Sequence, residues 1–284
     1  MKNPKERIIV FSIFLIFVFI LYSTAIFSAS DMRLSAKSAV LYDPHSESFL
    51  YSKNADTRLP MASTTKIMTA LVAIESASLE ATVDISDDAI GTEGSSLYLK
   101  KGERMTMGDL LFGLMLRSAN DAAAAIAYEI SGSIEAFADK MNEKAESLGL
   151  TDTHFTNPHG LDDKEHYTTA RELAIITGEA LKNDTFLQIV STKKQIITNS
   201  DGESRLLINH NKLLNMYENT IGVKTGFTKK SGRCLVGAAE RDGVRLITVT
   251  INAPDDWKDH IALFDYGFSK LKTEPAVTKL ITDY

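Results

Sequence analysis

Met61-Ala62-Ser63-Thr64-Thr65-Lys66-Ile67-Met68-Thr69 leads into a stretch, residues 64–76, that reads as a helix. Its apolar residues (Ile67, Met68, Ala70, Leu71, Val72, Ile74) cover more than one face, so the helix is expected to be largely buried. Ser63 and Lys66 stand three apart at its start and share a face. A serine there sits where free N–H groups and the helix dipole favour negative charge. A lysine on a buried helix loses the hydration of its charged form, which favours the neutral amine. A neutral amine one turn from a hydroxyl can take its proton, which activates a nucleophile without histidine. Ser-x-x-Lys alone is weak evidence. The chain has two more, at 191–194 and 269–272, and neither begins a long buried helix.

Two further clusters strengthen it. Ser118-Ala119-Asn120 falls between an apolar stretch, 110–116, and a run of four alanines, 122–125. A polar bend between buried helices puts a hydroxyl and an amide at the edge of a cleft, although helix capping alone would also explain it. Lys224-Thr225-Gly226 follows the short apolar strand Ile221-Gly222-Val223. Here Lys224 is expected to give a fixed positive charge, Thr225 a hydroxyl, and Gly226 room for a substrate backbone to approach. A peptide could pair with this strand and set its carboxylate near Lys224 and Thr225. A bland turn with a solvated lysine is the other reading.

Outward from these clusters, residues 38–42 and 49–52 read as a β-hairpin. Helices are expected over 107–116, 121–131, 134–148 (with Gly149 as C-cap) and 168–181. Strands are expected over 195–198, 205–209, 234–240 and 244–252, the last pair joined by Asp242-Gly243, and a closing helix over 255–271. Strands thus flank a helical insert. The pattern predicts one α+β unit of two lobes, an antiparallel sheet flanked by helices plus a helical lobe, with a cleft between them.

Bulk properties narrow the class. The 284 residues are 44% hydrophobic, enough for a full core, and the net charge of -6 gives no footprint for nucleic acid. Cys234 is the only cysteine and sits in an apolar run, so it reads as a small buried hydrophobe. His154, His159 and His166 share a polar loop, but no His-Glu-x-x-His pattern exists, and neither a metal nor a cofactor is expected. Lys2, Lys5 and Arg7 precede an apolar run, 8–22, and then small residues. Residues 1–30 therefore read as a cleaved signal peptide or a retained N-terminal anchor. Either way, residues 31–284 form a domain outside the cytoplasm, secreted or anchored at the cell envelope.

The three clusters, in this order, resemble those of the penicillin-binding protein and serine β-lactamase superfamily, whose boxes are Ser-x-x-Lys, Ser-x-Asn and Lys-Thr-Gly. Residues 61–69, 117–122, 153–162 and 222–226 are similar to the low-molecular-weight D-alanyl-D-alanine carboxypeptidases, peptidase family S11, over nearly the whole chain from about residue 35 to 275. The resemblance implies the transpeptidase-like fold of that superfamily and cleavage of the terminal D-alanine from peptidoglycan stem peptides. It implies Ser63 as the acylated nucleophile, Lys66 as general base and Ser118 as proton relay. Asn120 would hold the peptide amide and Lys66, and Lys224 and Thr225 would face the terminal carboxylate, with Gly226 beside them. The backbone N–H groups of Ser63 and Phe227 would form the oxyanion hole. β-Lactams would act as covalent inhibitors.

Departures are few. Met61-Ala62 replaces the common Pro-Ala, and 253–257 lacks the arginine that some members use for the carboxylate, with Arg233 as a conceivable substitute. The sequence ends at Tyr284, where many members continue into a β-rich domain and a C-terminal anchor, so membrane attachment is expected through the N-terminal segment. A β-lactamase would need a deacylating glutamate in a Glu-x-x-x-Asn element, and Glu165 lacks that context. A non-catalytic wall-binding module would be expected to have lost one of these groups.

Overall fold

The computed structural model describes residues 32–272, so the N-terminal segment lies outside the described residues. In chain order the elements are β1 (Ser38–Asp43), β2 (Ser48–Lys53), α1 (Lys66–Ser76), β3 (Thr82–Asp84), β4 (Arg104–Thr106), α2 (Met107–Leu116), α3 (Asn120–Ser131), α4 (Ile134–Ser147), α5 (Ala170–Ala180), α6 (Asp184–Ser191), β5 (Lys194–Thr198), β6 (Ser204–Ile208), α7 (Leu213–Met216), β7 (Thr220–Thr228), β8 (Gly232–Arg241), β9 (Val244–Ile251) and α8 (Asp256–Lys272).

The main sheet has the order β2-β1-β9-β8-β7, with every neighbouring pair antiparallel. The hairpin from the start of the chain thus completes a meander from its end. Asp242 and Gly243, both at positive φ (53° and 79°), make the tight β8–β9 turn. Asp43 closes the β1–β2 turn by accepting from the Ser46 hydroxyl at 2.6 Å and the His45 N–H at 2.9 Å. The order leaves β7 at an edge.

Alternation along β9 sends side chains to two different layers. Thr248 and Thr250 face α8, where both hydroxyls meet the His260 ring at 2.6 and 3.0 Å. Ile247 faces α5, close to Gly178. The helical lobe is built around α1, whose residues Lys66 to Ala73 are all buried. Ala122, Ala123, Ala124 and Ala125 are buried too, and α3 lies against α2 and α4. Such small side chains let helix axes approach closely.

The expected helices and strands are found with shifts of a residue or two at their ends, and the α+β class holds. Three expectations are corrected. First, β5 and β6 do not join the main sheet but form a separate two-stranded ribbon. Their inward residues Ile197 and Leu207 pack on the helical lobe while Ile196 and Leu206 stay exposed. Second, the short strand expected at Ile221-Gly222-Val223 runs on through Lys224-Thr225-Gly226 as β7, these three paired to Val236, Leu235 and Cys234 of β8, which excludes the alternative of a turn. Third, α6 and the β3–β4 ribbon were not anticipated. At eight and three residues they are too short to show a period.

A loop from Thr153 to Asp162 passes beneath the 3-10 turn Ala62–Thr65. Thr69 Oγ1 donates to the Pro158 carbonyl at 2.6 Å, and the Asn157 carboxamide accepts from the Gly160 N–H at 2.7 Å. Gly160 has φ +89°, and a Cβ there would lie 2.0 Å from the Ala62 carbonyl oxygen. Gly160→Ala is therefore expected to cost at least about 2 kcal/mol in urea unfolding, from left-handed strain plus backbone overlap. Gly132→Ala shares the positive φ but has open space around it and is expected to cost clearly less. Equal losses would remove the argument for close packing at Gly160.

Candidate active site

Ser63 lies in the Ala62–Thr65 turn that feeds α1, half-buried at the floor of a cleft of about 370 Å³. The cleft is also lined by Ser118, Thr225, Gly226, Phe227 and Trp257, among others. Ala62 just before it takes φ +47°, and Ser118 takes φ +60°. Two non-glycine residues in the left-handed region flank one site, and such strain persists only where the surroundings hold it.

Lys66 is fully buried, with no exposed surface. Its Nζ lies 2.6 Å from Asn120 Oδ1, 2.6 Å from the His159 carbonyl oxygen and 3.1 Å from Ser63 Oγ. A neutral amine has two N–H groups and one lone pair. The two short contacts are to pure acceptors and take both N–H groups, which leaves the lone pair for the Ser63 hydroxyl. Burial, and then the nearby Lys224 charge, push the Lys66 ammonium well below the usual lysine range, while Asp121 opposes them. The three contacts would serve an ammonium equally, and it is burial that favours the neutral amine able to accept a proton from Ser63.

Asn120 begins α3 and is itself oriented. Its Oδ1 faces Lys66, and its Nδ2 donates to the Glu93 carbonyl. Since the Glu93 carbonyl can only accept, the amide cannot be flipped. One Nδ2–H remains for a ligand. The Asn120 main-chain N–H donates to the Ser95 carbonyl at 2.6 Å. The 93–99 loop that supplies these carbonyls is pinned by Asp121, whose carboxylate is buried. It accepts from Ser96 Oγ at 2.6 Å, Leu97 N at 3.0 Å and Leu99 N at 3.1 Å. Asp121 was legible only as the residue after Asn120, and the loop carried no motif.

Lys224 corrects the expectation of a fixed positive charge. It is buried in the middle of β7, its Nζ donates to the Thr225 carbonyl at 2.8 Å, and burial lowers its pKa to about 7. Gly226 lines the cleft and has a second reason to be bare: a Cβ there would meet Ser63 N at 3.0 Å and Thr64 N at 3.2 Å, so its bareness also lets the nucleophile's own turn approach β7. Thr225 is half-buried facing the cleft; Phe227 exposes 66% of its surface, so its side chain packs on little. All eight expected site residues thus converge on or beside one cleft.

Other groups define the rim. Arg233, opposite Phe227 on β8, is in the cleft wall, but its Nε pairs with buried Asp256 at 3.1 Å, which already balances its charge. His210 lines the cleft; burial, then Lys224 and Arg117, lower its pKa. No motif or spacing in the sequence marks His210. His166 accepts from the Thr156 N–H through Nδ1, so its Nε2–H faces Thr65 Oγ1 at 2.8 Å; burial holds its pKa at about 4. It braces the Ser63 turn as a neutral ring. Glu165 is exposed on the same loop. Cys234 is a buried free thiol raised to about 11 by desolvation, in line with the apolar reading.

A family model described as D-alanyl-D-alanine carboxypeptidase matches residues 25–255. The chain is 37% identical to D-alanyl-D-alanine carboxypeptidase DacF of Bacillus subtilis over 254 residues, 87% of this chain and 65% of that protein. It is 39% identical to a D-alanyl-D-alanine carboxypeptidase of Streptomyces sp. (strain K15), covering 78% of this chain and 82% of that one. Among solved structures it is similar to the Streptomyces K15 DD-transpeptidase, with a TM-score of 0.79 and 34% identity, over 84% of this chain and 98% of that chain. The chain thus spans about two thirds of the length of the Bacillus relative and most of the Streptomyces one.

The two buried lysines are expected to titrate apart from the surface lysines when their side-chain nitrogens are followed by NMR, with Lys224 near pH 7. In Asp121→Asn the Lys66 midpoint should move lower still, because the one charge opposing its burial is removed. A Lys66 that titrates with the surface lysines would overturn the neutral-amine assignment.

Proposed function

The chain belongs to the D-alanyl-D-alanine carboxypeptidase family, the S11 serine peptidases, and from that membership we propose that Ser63 carries an acyl-enzyme cycle releasing the terminal D-alanine of peptidoglycan stem peptides. The observation that supports it best is the contact of Ser63 Oγ with a buried Lys66 whose two N–H groups are already taken. Ser63 Oγ attacks the carbonyl carbon of the penultimate D-alanine as its proton passes to Lys66. The oxyanion is held by the N–H groups of Ser63 and Phe227, donors fixed before the charge develops. The C–N bond then breaks. Ser118 passes a proton to the departing amine, replenished from Lys66. Water adds to the ester through the same base, and Ser63 is restored. Asn120 uses its remaining N–H on the substrate amide. Edge strand β7 offers main-chain groups for strand pairing, and Lys224 and Thr225 receive the terminal carboxylate.

This reading also places the domain outside the cytoplasm, where stem peptides are, secreted or held by residues 1–30. An amine could replace water on the acyl-enzyme, so transpeptidation uses the same groups. A β-lactam presents a strained amide beside a carboxylate and should acylate Ser63 and remain there. Intact-mass spectra with benzylpenicillin are expected to show one persistent adduct, absent in Ser63→Ala. No adduct with penicillin consumed would indicate a β-lactamase, and no adduct with penicillin intact would leave a binding module.

The Lys224 pKa gives a pH prediction. Its charge is needed for the carboxylate and is lost as pH rises through about 7, so kcat/KM should fall on the alkaline side near that value. A substrate ending in a carboxamide should be poor and should lack this limb. An identical alkaline limb for both substrates would remove Lys224 from carboxylate recognition.

A further inference from the structure

A second cavity, of about 540 Å³, adjoins the cleft. Three stretches of chain form the shared rim. Ser95, Ser118 and His210 line the cleft, while Ser96, Arg117 and Leu207 line the second cavity. His210 N–H donates to the Leu116 carbonyl at 3.1 Å, which ties the ribbon side of the rim to the end of α2.

The lining combines apolar surface with one uncompensated cation. Tyr98 is 80% exposed and Leu206 58%, and both line the cavity. Tyr98 takes φ +58°, a conformation that a bulky residue adopts at a cost. It is held there by the bond from its N–H to Ser96 Oγ at 2.7 Å, and Ser96 is in turn bonded to Asp121. The same carboxylate therefore fixes both Asn120 and this wall. Of the lining cations, Lys100 pairs with Glu203 at 2.7 Å and Arg205 with Glu103 at 2.5 Å. Arg117 has no carboxylate partner among the described residues, and it is half-buried at the rim.

We propose that this cavity is a subsite for the side chain of the residue preceding the D-Ala-D-Ala dipeptide, and that Arg117 recognises a carboxylate at the end of that side chain. The inference rests on the carboxypeptidase reading. The leaving group is a single D-alanine, so a surface extending beyond the cleft has only the acyl side of the substrate to receive. Tyr98 and Leu206 suit the methylenes of a long side chain, and a guanidinium fork suits a carboxylate. The enzyme is thereby matched to stems whose diamino acid keeps its own free carboxylate.

The test uses acetylated diaminopimelyl-D-Ala-D-Ala with its side-chain carboxyl free or amidated, two substrates of one size that differ by one charge. The ratio of their kcat/KM values is expected to favour the free acid about five- to tenfold at low salt, the size of one half-exposed charge-assisted pair, and to shrink as salt is raised. Arg117→Gln should bring the ratio close to one, and Arg117→Lys should keep most of it. Each ratio is taken within one protein, so a general loss of activity cancels. A ratio near one in the unaltered enzyme, or a preference that survives Arg117→Gln, overturns the proposal. Failure to cleave either peptide would instead strike at the carboxypeptidase reading itself.

Discussion

The burial of the Lys66 amine governs the arrangement around it. An ammonium taken fully out of water is costly, and a protein relieves that cost by pairing it or discharging it. Among the described residues no carboxylate touches Nζ. It meets an amide oxygen, a main-chain carbonyl and a hydroxyl instead. When burial discharges the amine, the two pure acceptors keep its N–H groups and the lone pair is left for the hydroxyl. Much of the local architecture serves to hold the two acceptors. The His159 carbonyl is presented by a loop stitched to α1 through Thr69 and closed by Asn157, while Asn120 is held from behind by the carbonyls of Glu93 and Ser95.

The second constraint is the contact between β7 and the turn that carries Ser63. An edge strand can offer main-chain groups to a peptide only if the nucleophile lies beside it, and any side chain at position 226 would hold the two apart. Glycine there is an interface requirement between sheet and helical lobe. It also explains how a cleft of modest volume can bring residues from α1, from the bend before α3 and from β7 onto one reacting atom.

Much of this was legible in the sequence because it is local. Ser63 and Lys66 are one turn apart, and Ser118 and Asn120 share one bend. The long helices declared themselves by period, and α2 was placed at its observed ends. What failed was non-local. Ile196 and Leu206 have the composition of sheet strands, yet their partner is only each other, and pattern alone does not say which strands meet. The extent of β7 was missed because Lys224, Thr225 and Gly226 look like a turn unless the β8 partner is known. Asp121 acts through a loop over twenty residues earlier in the chain, a link that no spacing encodes.

The two lysines, finally, need opposite charge states for the proposed chemistry, although both are buried in one cleft. The repulsion between two ammonium groups is mutual, so it opposes charging both without choosing between them; burial is the leading cause at each, and it lowers Lys224 to about 7 and Lys66 well below the usual lysine range. When the pair holds a single proton, the proposed chemistry needs it on Lys224. The base is then neutral and the carboxylate anchor charged over the same range of pH. Paired groups whose surroundings drive their proton affinities apart are the means by which one site holds an acid and a base together. Here the division follows from where two side chains of one kind are placed, with no histidine or metal ion taking part in the proposed cycle.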